Sequence, residues 1–157
     1  MKILLILPGF FFLGCQSQGQ VNKLPVTRLP DFSLTMHVDG GMRYYSENLF
    51  ISIDSCMYDK NDEGKKIKKK FILSSGEMDA LYDMLKKNKF DRIEFTTEKN
   101  VYDRGGISIR TSWDKDKKEL DVSNAQLSFI KDTWIKEWQA VCNYLAALIK
   151  MKINNQE

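Results

Sequence analysis

The chain is poor in the residues on which most enzyme chemistry depends. Among its 157 residues there is one histidine, His37, and there are three cysteines, Cys15, Cys56 and Cys142. A Ser-His-Asp or Cys-His relay would have to run through that single imidazole. Nothing adjacent to it in sequence supports the role, so His37 is expected as a solvent-facing strand residue. One histidine and scattered cysteines also lack the paired spacing of a zinc site, and no metal is expected. A formal charge of +3 is too near balance to argue for nucleic acid as a partner. No apolar run approaches the roughly 18 residues of a membrane-spanning helix. These shortages leave no ordered catalytic constellation, and the chain is not expected to be an enzyme.

Apolar and aromatic residues are plentiful. They make up 43% and 11% of the chain, which is enough for a packed core and excludes a disordered polymer. The apolar segment Ile3 to Leu13 follows the positive start Met1-Lys2. As a helix it would rise about 16 Å, against a hydrocarbon core of about 30 Å. So short a run behind a positive charge, ending in small residues, has the form of a secretory signal.

The run stops at Phe12-Leu13-Gly14-Cys15. This segment resembles the lipobox of bacterial lipoproteins, in which the chain is cut just before a cysteine that carries diacylglycerol on its sulfur. The resemblance implies a signal peptide over 1–14 and lipidation of Cys15, the covalent lipid being the one non-protein group expected. Several acyl chains on one residue anchor stably, at about 0.8 kcal/mol per buried methylene. Gln16, where an Asp would hold such a protein at the inner membrane, implies passage to the outer membrane, facing the periplasm. The alternative is cleavage after Gly19 by the ordinary signal peptidase, giving a soluble periplasmic or secreted chain.

Residues 15–30 read as a lipidated tether, polar and then interrupted by Pro25 and Pro30. A single domain is expected over 31–157. Phe32, Leu34, Met36 and Val38 alternate with polar residues, the pattern of a half-buried strand that ends at the turn Asp39-Gly40-Gly41. Met42 to Tyr58 holds further strand material with a bend, a bulge or a break into two strands. Asp59 to Gly64 reads as a turn, and Lys65 to Leu73 as the next strand. Ser74-Ser75-Gly76-Glu77 is a capping-box signature, predicting a helix to about Asn88 that buries Met78, Leu81, Tyr82 and Leu85. Phe90, Ile93 and Phe95 are expected to pack its exit. Two more strands, Ile107 to Trp113 and Glu119 to Val122, precede a helix from about Asp132 to Met151 whose stripe is Trp134, Trp138, Val141, Leu145 and Leu148. The order β-β-β-α-β-β-α predicts an α+β fold: an antiparallel sheet of about five strands with two helices on one face.

Four features carry candidate chemistry. Cys56 and Cys142 meet an oxidising compartment after export and are either a disulfide or two separate small core residues. Asp59, Asn61, Glu63 and Gly64 imitate half of a calcium loop, but Lys70 stands where the bidentate Glu belongs, so an acidic hairpin turn is expected instead. The lysines of Lys65 to Lys70 either guard an exposed sheet edge, the favoured reading, or touch anionic headgroups. Arg43, Tyr44 and Tyr45 are residue types enriched at binding hot spots and mark a partner surface, with one tyrosine free and the other packed. Tyr102 to Gly106 lacks the spacing of a phosphate loop and is expected to turn into the strand at Ile107. Together these features point to a membrane-anchored, small protein-binding module of the bacterial envelope, of inhibitor, immunity or sensor type, whose partner is another envelope protein. The alternative is a structural accessory subunit of an envelope or secretion assembly.

Overall fold

The computed structural model of the chain describes residues 22–98, 101 and 103–154. The expected signal segment, Cys15, the first part of the expected tether and Tyr102 lie outside the described residues. The fold is α+β. Strands β1 (Ser33–Asp39), β2 (Tyr45–Ile51), β3 (Cys56–Asp62) and β4 (Lys65–Phe71) precede helix α1 (Ser75–Lys87). Strands β5 (Phe95–Thr97), β6 (Gly106–Trp113), β7 (Lys118–Asn124) and β8 (Ser128–Ile130) follow, and helix α2 (Ile135–Asn154) ends the described chain. Six strands form one sheet in the order β4-β3-β2-β1-β6-β7, every neighbouring pair antiparallel, while β5 and β8 pair as a small separate ribbon.

Alternation decides which side of the sheet is buried. Met36 lies opposite Leu49 on one neighbour and Ile109 on the other; Leu49 lies opposite Tyr58, and Ile109 opposite Val122. All five are buried. The next row, Leu34, Ile51, Cys56, Phe71 and Thr111, is buried as well. These side chains and the apolar stripes of both helices form one core. Helix α1 contributes Met78, Leu81, Tyr82 and Leu85, as its spacing predicts. Helix α2 contributes Trp138, Val141, Leu145, Leu148 and Ile149.

The capping box is complete: the Glu77 amide donates to the Ser74 hydroxyl, and the Ser74 amide donates to the Glu77 carboxylate at 2.8 Å. Glu77 also joins the two helices, its other oxygen lying 2.6 Å from the Lys152 ammonium. The Lys152 contact, followed by the Ser74 amide, holds the Glu77 carboxyl below its ordinary value of 4.5.

The structure departs from the sequence reading in several places. Met42 to Tyr58 is two strands, β2 and β3, separated by a tight link in which Ser52 and Ser55 hydrogen-bond to each other. The expected turn over Asp59 to Gly64 is shorter, because β3 continues through Asp62. Glu63 and Gly64, both at positive φ (51° and 90°), make a two-residue turn of the kind that matches the twist of its flanking strands. The split of Met42 to Tyr58 gives the main sheet six strands where about five were expected, and short β5 and β8, with too few residues to show a period, bring the described strands to eight. Phe95 is 40% exposed, although Phe90 and Ile93 do pack the exit of α1. Part of the segment expected as a tether, from Asn22 onward, is fastened to the domain. Leu24 is buried, the Tyr82 hydroxyl donates to the Pro25 carbonyl at 2.8 Å, and Asn22 donates to the Glu119 carbonyl at 2.9 Å. Among the described residues no helix is long and apolar enough to cross a membrane.

Two predictions follow from this packing. Thr111 is fully buried between β1 and β7, and among the described residues its hydroxyl has no hydrogen-bond partner. Thr111→Val keeps the shape and removes the stranded hydroxyl, and should raise stability by about 1 kcal/mol, read as a higher urea midpoint at unchanged slope. Because the folded Glu77 carboxyl titrates below its unfolded value, its contribution is present at neutral pH. It is lost as pH falls from about 4.5 through the lower folded value. Glu77→Gln should therefore lower stability in urea at pH 7, by no more than about 1 kcal/mol for so accessible a pair, and the difference from the wild type should shrink as pH falls below 4.5.

Candidate functional site

The face of the sheet away from the helices carries a continuous polar row. Lys68, Asp59, Asn48, His37, Ser108 and Ser123 follow one another across it in register. His37 is solvent-facing, as expected, and its Nδ1 lies 2.8 Å from the Asn48 amide oxygen. The hydroxyls of Ser108 and Ser123 lie 2.8 Å apart and are hydrogen-bonded to each other. The imidazole thus has a neutral amide as its partner where a catalytic relay would supply a carboxylate.

The middle of the row, at His37, lies beside the loop that joins β1 to β2, and this loop is held from behind. The Gly41 amide donates to Asp39 Oδ1 at 2.7 Å, and Gly41 itself sits at φ +64°, a left-handed conformation that glycine adopts without strain. A side-chain carbon on Gly41 would overlap the carbonyl of Asp103, and one on Gly105 would overlap the carbonyl of Asp39. Two glycine turns therefore press backbone against backbone. Arg104 fixes the second turn from the other side. Its guanidinium donates to the Ser128 carbonyl at 2.8 Å and to Asn124 Oδ1 at 2.7 Å, and it stacks 4.1 Å over the Phe129 ring. The described part of the Tyr102 to Gly106 segment is thus a clamp that leads into β6.

On this support stand Arg43, Tyr44 and Tyr45. Tyr44 is 70% exposed, while its carbonyl accepts the Glu63 amide at 2.9 Å. Tyr45 is packed: its hydroxyl donates to the Glu47 carboxylate, and the Lys60 ammonium lies 5.1 Å over its ring. Burial, then the Glu47 hydrogen bond, push the Tyr45 hydroxyl up to about 12, so it stays a donor through the physiological range. Arg43 is held by Asp62 at 3.0 Å and Glu63 at 3.3 Å. Three shallow cavities of about 350, 310 and 230 Å³ meet around Asp39, and the smallest is lined by His37, Arg43, Tyr44 and Tyr45 together. A larger cavity, about 810 Å³, lies elsewhere, between the β7 edge and Phe95 and Trp134, and it gathers none of these residues.

The other sequence candidates are dispersed. Cys56 and Cys142 are free thiols in this structure. Cys56 turns its sulfur to the Ser52 carbonyl at 3.7 Å, and Cys142 is half-buried in α2, where burial pushes its thiol up to about 12. Asp59 and Asn61 point outward from β3, so the imitation of a calcium loop is strand with a two-residue turn. What sequence reasoning missed is the joining of His37 and Asp39 to the Arg43-Tyr45 segment, because contact between the two glycine turns is invisible in a linear pattern. No protein-family model and no curated protein matches the chain.

Gly105→Ala should force the two turns apart and cost about 2–3 kcal/mol in urea unfolding, whereas Gly76→Ala, in the first turn of α1 with open space around it, should leave stability unchanged or raise it by about 0.5 kcal/mol.

Proposed function

We propose that the chain is a lipid-anchored protein-binding module of the bacterial envelope. In this reading Cys15 carries the lipid, the domain faces the periplasm from the outer membrane, and the loop Asp39 to Tyr45 contacts another envelope protein. The observation that carries it is Tyr44: a large aromatic side chain, 70% exposed, on a loop that the glycine contact, Arg104 and the Arg43 ion pairs all hold in place. Aromatic and arginine side chains already held in their binding geometry lose little freedom on association, which is what makes such residues hot spots. An exposed Tyr44 on a backbone held by the Glu63 amide, beside small open clefts, suits a protein surface better than a small substrate, which would need an enclosing pocket. Binding is therefore favoured over catalysis.

The test is capture of the native chain from membranes with its partners, followed by the same capture with Tyr44→Ala. Tyr44 is exposed, so the variant should keep its urea midpoint within about 0.5 kcal/mol while losing at least ~2 kcal/mol of partner affinity, roughly thirtyfold in Kd. A partner retained at full affinity by the variant would sink the assignment of the surface. Mass spectrometry of the same sample should find the chain beginning at Cys15 with added acyl mass. A chain beginning after Cys15 would remove the anchor from the reading and leave the binding surface standing.

A further inference from the structure

The two edges of the main sheet are unlike. The β7 edge is partly covered, by the Asn22 amide at Glu119 and by the β5–β8 ribbon beside it. Strand β4, the other edge, carries lysine at five of its seven positions. The β3–β4 hairpin, Cys56 to Phe71, holds six lysines against three carboxylates, an excess of three that equals the formal charge of the entire chain. Two of those carboxylates, Asp62 and Glu63, are drawn on from outside the hairpin by Arg43. Asp62 lies 3.0 Å from Arg43 and 3.7 Å from Lys60, and Glu63 lies 3.3 Å from Arg43. Asp59 is shared with Lys68 only at 3.9 Å, and the Lys68 side chain remains 63% exposed. Positive charge is therefore concentrated along one side of the molecule.

Guarding an edge against other strands explains the lysines. It does not explain Ile67 and Ile72, which are 42% and 69% exposed on and just beyond the same strand. Ile67 stands among the lysines and Ile72 follows at the end of the strand, so the edge offers aliphatic as well as cationic side chains. A bilayer surface accepts both, ammonium groups at the phosphates and short aliphatic side chains among the headgroups.

We propose that the β4 edge is a membrane-contact surface for anionic phospholipid headgroups. The claim goes beyond the anchoring role of Cys15 and stands on the hairpin alone. Each lysine near such a surface contributes about 1 kcal/mol, which is roughly fivefold in occupancy, and the attraction fades over a Debye length of about 10 Å at 0.1 M salt.

The test is amine acetylation of the full chain mixed with vesicles of phosphatidylglycerol or of phosphatidylcholine, read lysine by lysine by mass spectrometry. In phosphatidylglycerol Lys65, Lys66 and Lys68 should react about fivefold more slowly than in phosphatidylcholine, and the difference should vanish at ~1 M salt, while Lys87 on α1 stays unchanged. Replacing Lys66 and Lys68 by Gln, exposed changes that leave the fold intact, should return Lys65 to its unprotected rate. Equal rates in the two lipids, or equal protection by inorganic phosphate at the same concentration, would overturn the proposal. The partner-capture result is independent of this outcome, so failure of one reading can be told from failure of the other.

Discussion

The whole architecture depends on six strands turning their apolar side chains to the same side. In an antiparallel sheet a slip of one residue exchanges the two faces, so register is fixed wherever one face is buried and the other is not. Strand β1 sets that register. It lies at the middle of the sheet, and Leu34 and Met36 each face buried or half-buried partners on both neighbouring strands. A slip there would carry Thr35 and His37 into the core without partners and push two large apolar side chains into water, at a cost of several kcal/mol. Helices α1 and α2 then have one apolar surface to cover, and the Glu77–Lys152 contact joins them above it.

This constraint was legible where it produced a period. The alternation from Phe32 to Val38 gave β1, and the capping box with Met78, Leu81, Tyr82 and Leu85 gave α1 with its buried face. Legibility failed where the local signal was ambiguous or absent. Asp59 to Asp62 has the composition of a turn, yet pairing with both β2 and β4 draws it into a strand. Three-residue strands such as β5 and β8 contain less than two periods of anything. The docking of Leu24 and Asn22 could not be read from a polar, proline-punctuated segment, because it is the surface beneath, on α1 and β7, that holds it.

The polar face illustrates the same limit for function. His37, Asn48, Ser108 and Ser123 are far apart in the chain and meet only through register. Sequence reading could place His37 outward but could not supply its neighbours. The residues flagged for partner contact fared differently, since Arg43, Tyr44 and Tyr45 are contiguous and their division into a free and a packed tyrosine follows from strand alternation as β2 begins. What alternation cannot give is rigidity. That comes from the glycine turns and from Arg104, more than sixty residues away from Gly41 along the chain.

An open sheet must do something with each of its edges, because unpaired backbone groups invite other strands. Here the two solutions are segregated. The β7 edge is partly satisfied by the chain itself, through Asn22 and the neighbouring ribbon. The β4 edge is left bare and is made cationic. Had the lysines been spread over both edges, their fields would have averaged toward the near-neutral total. Gathered on one hairpin, while Arg43 occupies the nearby acids Asp62 and Glu63, they give a modest net charge a direction. In the reading we propose, the same lysines that guard the edge against other strands orient the molecule beside an anionic surface, with Ile67 and the neighbouring Ile72 among the headgroups.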